Sequence, residues 1–506
     1  MSGRVVPEHP TKGRRADLWL LIAIAATTVV AHWLTGGRYG FHRDELATLD
    51  DARHLAWGYV AYPPVTPFFG WLSLHLFGTS LVGFRFFASL ADAIAIVLAG
   101  LIARDLGGGR GAQLLAACAS VPFALAAGAL MQYVSFDYLA WVAVAYFVGR
   151  LCRSGDPRWW LAIGAAIGFG MLSKYSMPFL VAGLAVGFFT SGLRRQLPSK
   201  WLWLGASLAL LLFLPNLIWQ WRHDFISLAF LQHIHARDIR IGRTSSFLPD
   251  QLEITLLALP LALAGIYFYF FAERGRRFRV LGWMFLVPLV LFLLAKGRGY
   301  YLAPVYPMLY AGGAVLGESW LQPCGRGWRI AVTSLAFVAL LLNSALIASV
   351  VLPIAPVNSP WWKKMVQQNN DLREEIGWEE LVENVARIRD SLSPEDRARV
   401  RIFCGNYGEA GAINLYGPRH GLPAAICPVN SFWERGYGDP PPELLIVLGG
   451  SAKNLEGRFD SVELVGHTTN REGVVNEETT DHPDIFLCRH LRAPWAEVWK
   501  KIRGFG

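Results

Sequence analysis

The sequence predicts a polytopic α-helical membrane protein carrying a small α/β domain at its C-terminal end. Three observations predict it. Of the 506 residues, 53% are hydrophobic and only 17% charged, where a soluble domain carries roughly a quarter charged residues. Apolar windows recur along the first two thirds of the chain at about the 20 residues that a bilayer-spanning helix needs. After Leu352 the pattern changes to polar and apolar residues in alternation.

The windows are Ala16–Leu34, Leu81–Ala103, Gln113–Leu130, Asp137–Gly149, Trp159–Leu172, Met177–Gly192, Trp201–Trp221, Phe247–Phe271, Val280–Ala295, Tyr301–Leu316 and Ile330–Leu352. They predict about eleven spans. No small-residue cleavage site follows the first, which reads as a retained span rather than a signal peptide. Alternate connections are basic (TKGRR, RDLGGGR, RLCRSGDPR, GLRRQLPSK, ERGRRFR, GRGWR). Retention of Lys and Arg on the cytoplasmic side then places the N-terminus inside and the C-terminus outside. It also accounts for the net charge of +9 without nucleic acid.

Residues 1–357 are expected to form the transmembrane domain and 358–506 an exterior α/β domain. In the latter, KKMVQQNNDLREEIGWEELVENVARIRDSL has helical spacing. RVRIFC, AAICPV, ELLIVLGG and SVELVGH read as strands between Gly and Pro breaks. The six cysteines form no C-x-x-C pair, which speaks against metal or redox roles. Cys404 and Cys427 are the candidates for a single disulfide in an oxidising compartment.

The exterior connections are then Gly36–Ser80, Gln132–Ser135, Ser173–Ser176, Arg222–Ser246 and Lys296–Tyr300, and topology does not explain their charges. In the first, Leu46, Leu49 and Leu55 fit one face of an interfacial helix. Pro63 and Pro64 end it, and Phe68, Phe69, Trp71, Leu74 and Phe77 begin a second. Two such helices make a shelf at the bilayer boundary, suited to a lipid substrate. Asp44, with Glu45 beside it, reads either as a helix cap or as a chemical group. Asp137 sits at the outer end of the fourth span, where an acid needs protein, water or a partner. Lys174, Lys296 and Arg298 read either as snorkelling anchors or as an anion site.

Taken jointly, these groups suit sugar transfer from a lipid phosphate. The phosphate leaves with developing negative charge that cations stabilise, and the incoming hydroxyl needs a carboxylate to accept its proton. Asp44 is the candidate base. Lys174, Arg298, Tyr300 and Tyr301 are the candidates for the phosphate.

At these residues a family resemblance emerges. RDELATLDDARHLAWGYVAYPPV, SFDYLAWVAVAYFVGRL, GFGMLSKYS, KGRGYYLAPVYPMLYAGG and the tail motif GNYGEAGAINLYGPRHGLP resemble, in that order, bacterial members of the dolichyl-phosphate-mannose protein mannosyltransferase family. That family includes the aminoarabinose lipid A transferases and has the GT-C membrane fold. The resemblance implies an inverting glycosyltransferase of the bacterial cytoplasmic membrane. Its partners would be a polyprenyl-phosphate-linked sugar donor, membrane lipids and a hydroxyl acceptor on lipid, glycan or protein. It carries catalytic roles over to Asp44, Glu45 and Asp137, and donor-phosphate roles to Lys174, Lys296, Tyr300 and Tyr301. Some relatives bind a divalent metal ion near the site; nothing in this sequence compels one. Aminoarabinose transferases have a lysine just before the paired prolines where this chain has Tyr62, which argues against the same donor or acceptor. The glycines of the tail motif read as a tight strand-to-helix turn in preference to a substrate loop.

Two other classes fit part of the pattern. A transporter or lipid flippase also has many spans, but such proteins hold their charged sites near the midplane on broken helices, whereas these charges gather at one face. A membrane-anchored scaffold would rest its function on residues 358–506 alone.

Overall fold

The computed structural model describes residues 12–481 and 483–506; the expected cytoplasmic stretch up to Thr11 lies outside the described residues. Its first part is helical: α1 (Lys12–Thr35), α2 (Arg43–Arg53), α3 (Val65–Phe77), α4 (Leu81–Asp105), α5 (Arg110–Ala127), α6 (Tyr133–Ser154), α7 (Trp159–Met171) and α8 (Met177–Thr190). It continues with α9 (Lys200–Arg222), α10 (Ile226–Arg240), α11 (Phe247–Thr255), α12 (Leu259–Phe270), α13 (Arg279–Leu294), α14 (Tyr306–Leu321) and α15 (Arg326–Val351).

Among the described residues, eight helical stretches are long and apolar enough to cross a bilayer, counting α11 with α12, and α13 with the 3-10 turn Glu273–Phe278 before it, as one stretch each. Three further predicted windows became α7, α8 and α14, of 13, 14 and 16 residues. At 1.5 Å per residue they are about 20 to 24 Å long, short of a hydrocarbon core of about 30 Å. The window Phe247–Phe271 is broken into α11 and α12 by a 3-10 turn at Leu256–Ala258. Pro260 in the first turn of α12 has no N–H to continue the ladder, and Leu256 adopts a positive φ of 40° at the break. Small residues let the helices approach, as they do in membranes generally: a Cβ on Gly164 of α7 would lie 2.0 Å from the Gly205 carbonyl oxygen of α9.

α2 and α3 are the two expected helices between the first two spans. The cap of α2 is not Asp44, however. His42 is the N-cap, its side chain accepting from the Asp44 N–H, and Glu45 closes the capping box on the His42 N–H. Leu46 and Leu49 are buried as expected, whereas Leu55 lies beyond the end of α2 and is exposed.

The C-terminal domain contains α16 (Pro360–Gln368), α17 (Trp378–Ser391), α18 (Pro394–Arg399) and α19 (Tyr407–Tyr416). Its sheet has β1 (Arg401–Phe403), β2 (Ala425–Ile426), β3 (Leu444–Val447), β4 (Phe459–His467) and β5 (Asp484–Leu491), in the order β2-β1-β3-β5-β4. β1 pairs in parallel with β2 and β3, and β5 runs antiparallel between β3 and β4. The four expected strand segments became β1 to β4; β5 is an addition. Cys404 and Cys427 are both free, buried thiols, so the expected pairing is not made.

One ion cluster joins the domain to the helices. Arg85 of α4, 3% exposed, gives Nε and Nη2 to the two oxygens of Glu45 at 2.8 and 2.6 Å. Nη2 also reaches Glu375 at 3.2 Å, and Nη1 the Gly36 carbonyl at 2.9 Å. Burial pushes the Glu375 carboxyl up to about 7 despite the neighbouring guanidinium. Removing one member of such a buried cluster strands the others without partners. We therefore expect Arg85→Met to lower stability by about 3–5 kcal/mol, read as a fall in melting temperature of the purified protein in detergent. Arg471→Ala, which breaks the exposed pair with Glu383, serves as the control and should leave the melting temperature unchanged.

Candidate active site

All five connections read from the sequence as exterior, four of them charged, line one cavity of about 1310 Å³. The C-terminal domain closes over it with Asn406, Tyr407 and Ser431 among others. Asp44, Lys174, Lys296, Arg298, Tyr300 and Tyr301 therefore share a single hollow.

Asp44 enters from the first turn of α2 with its side chain 43% exposed. The Tyr407 hydroxyl donates to its Oδ1 at 2.7 Å, and the Gln132 side-chain amide to its Oδ2 at 3.0 Å. Burial, with the nearby Asp44 charge, holds the Tyr407 phenol far above its ordinary value. Tyr407 thus keeps its proton and Asp44 is the acceptor.

Glu45 and Asp137 do not line the cavity, which corrects the grouping of three carboxylates as catalytic. Glu45 is fully buried, and its oxygens are taken by Arg85 and by the N–H groups of His42 and Met131. One helical position turns it inward while its neighbour faces the hollow. Asp137 is buried in α6, accepts from the Ser176 hydroxyl at 2.8 Å, and lies 3.8 Å from Lys174 Nζ. It serves the cavity through that lysine.

Two cations are held in place. Lys174 Nζ sits over the rings of Tyr301, Tyr300 and Tyr133, at 4.3, 4.8 and 5.2 Å from their centroids, geometry that attracts a cation electrostatically. Arg298 forms a two-pronged pair with Asp238, Nε to Oδ2 at 2.6 Å and Nη2 to Oδ1 at 2.9 Å. Burial opposes the guanidinium charge, but the hydrogen bonds it donates to Asp238 more than offset that and raise its pKa. Lys296 lines the same hollow from a left-handed backbone position, φ 49°.

Tyr62, just before the paired prolines, donates to Asp51 at 2.6 Å and lies against Tyr133, ring centroids 6.2 Å apart. The wall there is aromatic, with no cation at that position. Among the described residues, no cluster of three or more His, Cys, Asp and Glu could hold a metal ion.

Residue-by-residue reading missed Asp238, Gln132 and Tyr407. Asp238 carried a usable signal, since it is an acid in a connection whose charges topology left unexplained. That connection, Arg222–Ser246, is mostly the helix α10 rather than a loop. Gln132 carried none beyond its place in the connection Gln132–Ser135, and Tyr407 none beyond the tail motif.

Residues 61–219 match the family model of dolichyl-phosphate-mannose-protein mannosyltransferases. Over 218 residues the chain is 27% identical to the lipopolysaccharide core galacturonosyltransferase RgtB of Rhizobium johnstonii, covering 41% of this chain and 44% of that relative's length. The fold is similar to that of ArnT from Cupriavidus metallidurans bound to undecaprenyl phosphate: TM-score 0.58, 14% identity, 93% of this chain and 97% of that one. It is also similar to the archaeal oligosaccharyltransferase AglB from Archaeoglobus fulgidus in complex with an inhibitory peptide and a dolichol-phosphate: TM-score 0.50, 12% identity, 86% and 70% covered. The chain thus shares the membrane fold of ArnT, and over residues 61–219 its sequence is similar to that of the dolichyl-phosphate-mannose-protein mannosyltransferases.

Proposed function

We propose that the protein is an inverting glycosyltransferase that moves a sugar from a polyprenyl phosphate to a hydroxyl acceptor at the outer face of the cytoplasmic membrane. One observation carries the reading: a carboxylate and two pre-positioned cations line the same hollow. The fold neighbour bound to undecaprenyl phosphate and the galacturonosyltransferase relative support the donor class and the reaction class.

In this reading Asp44 accepts the proton of the acceptor hydroxyl as its oxygen bonds to the anomeric carbon. The bond from that carbon to the phosphate oxygen breaks, and its electron pair stays on the phosphate. Lys174 and Arg298 face the charge that develops there, with the Tyr300 and Tyr301 hydroxyls beside them. Because Asp137 and Asp238 already hold the two cations, little reorganisation is needed when the charge appears, which is the condition under which electrostatic stabilisation is most effective. Base and phosphate on opposite sides of the anomeric carbon give inversion. The positively charged connections set the orientation, with the N-terminus cytoplasmic and the sheet domain exterior.

The transporter reading fares worse on the same observation, because the cavity draws its charges from connections at helix ends rather than from mid-helix positions. The scaffold reading leaves a cavity built largely from the helical part without a purpose.

Purified protein incubated with a panel of polyprenyl-phosphate sugars, followed by mass spectrometry of the carrier, should reveal turnover of at least one donor; none at all would count against the proposal. Asp44→Asn should fold and bind donor yet lose transfer by roughly 100-fold or more, and full transfer by this variant rules out the base assignment. Lys174→Ala and Arg298→Ala should each raise the donor KM about tenfold or more, as loss of a charge-assisted contact predicts. Unchanged donor titration curves for both would move the phosphate site elsewhere.

A further inference from the structure

We infer that Tyr407 and Gln132 are positioning residues that jointly hold Asp44 ready as a base, so that the C-terminal domain completes the active site. The inference rests on the proposed function and names residues that none of the motif arguments assigned to the reaction.

The geometry begins with the tail motif. Asn406 caps α19, its side chain accepting from the Glu409 N–H while Glu409 accepts from the Asn406 N–H. This starts α19 at Tyr407. The glycines then set how near α19 lies to α2. A Cβ on Gly411 would stand 2.7 Å from the Leu46 backbone carbon, and one on Gly408 would stand 3.0 Å from Arg43 Cβ. Only helices lacking side chains at these two points can approach so closely. The approach carries the Tyr407 hydroxyl to 2.7 Å from Asp44 Oδ1, and the Arg43 guanidinium, 4.9 Å above the Tyr407 ring, packs over its face. Gln132 comes from the opposite side, on the turn between α5 and α6, where the neighbouring Met131 N–H is bonded to Glu45. Tyr407 and Gln132 thus reach Asp44 from two separate parts of the chain.

The consequences follow from the chemistry of a carboxylate. Each of its oxygens can accept about two hydrogen bonds. With Oδ1 taking one from Tyr407 and Oδ2 one from Gln132, each oxygen retains capacity for the acceptor hydroxyl. Both donors favour the charged form, the form that can accept a proton. The plane of the carboxylate is also pinned, because two donors on different oxygens oppose rotation about its last torsion. The glycine motif therefore serves the site through the placement of one hydroxyl.

Removing either donor leaves the carboxylate free to turn out of line. Tyr407→Phe should lower kcat about tenfold or more, as loss of a hydrogen bond to a charged group implies, while donor KM stays as in the wild type. Gln132→Met should lower kcat in the same way. Because both residues act through Asp44, adding either substitution to Asp44→Asn should leave the residual rate where Asp44→Asn alone puts it, a result that a merely structural role would not give.

An unchanged kcat in both variants, or a further fall when either substitution is added to Asp44→Asn, overturns the inference even if Asp44→Asn is inactive and the proposed base stands. Full transfer by Asp44→Asn would instead remove the base role itself. If Tyr407→Phe does not yield folded protein, Gln132→Met decides the matter on the same measurements.

Discussion

A guanidinium buried between two carboxylates organises the active-site side of this molecule. Arg85 belongs to a helix of spanning length, Glu45 to the shelf helix α2, and Glu375 to the C-terminal domain, between α16 and α17. A charge in a low-dielectric interior is costly unless paired and hydrogen-bonded. The three groups are consequently bound to one another, and with them the three parts of the chain that bear them. Because Glu45 is locked inward, its neighbour on α2 is presented to the cavity. The side-by-side acids have opposite fates for this reason.

The same pairing logic recurs at the site in a weaker form. Lys174 has Asp137 behind it, and Arg298 has Asp238. In each case the acid lies in a helix and is buried, while the cation reaches the hollow. An unpaired cation in this position would fold away or attract a counter-ion; a paired one stays where a phosphate can meet it. The aromatic walls around Lys174 add attraction without neutralising the charge. Binding strength for an anion is thereby traded against readiness, which suits the phosphate release that the proposed reaction requires.

The glycines of the tail motif show how backbone geometry and chemistry merge. They were expected to serve a turn, but only Gly405 stands at the strand-to-helix junction, while Gly408 and Gly411 lie within α19. Their larger effect is the close approach of α19 to α2, where added methyl groups at Gly408 and Gly411 would collide with α2. A structural role and a functional one are the same role here, because the distance between two helices determines whether a hydroxyl reaches a carboxylate.

Much of this protein was legible from its residues alone. Long apolar windows declare helices of spanning length because bilayer thickness demands a length, and alternating basic connections support the proposed sidedness. Charges that sidedness leaves unexplained pointed to Asp44, Lys174 and Arg298, which do share a cavity. The weaker results also have physical causes. Windows such as Trp159–Leu172 show apolarity but not helix ends, which depend on neighbours, so short helices and full spans look alike. The disulfide expected at Cys404 and Cys427 came from spacing, whereas bond formation depends on how two side chains meet. Most tellingly, Asp44 and Glu45 are adjacent acids of nearly identical chemistry, and nothing local separates them. What assigns one to the interior and the other to the hollow is Arg85, 40 positions away, together with Tyr407 from 363 positions away. Composition and periodicity determine which segments enter the membrane because hydration of each residue is a local property. The partner of a buried charge is decided only by packing, since pairing depends on distances in space that the order of the chain does not contain.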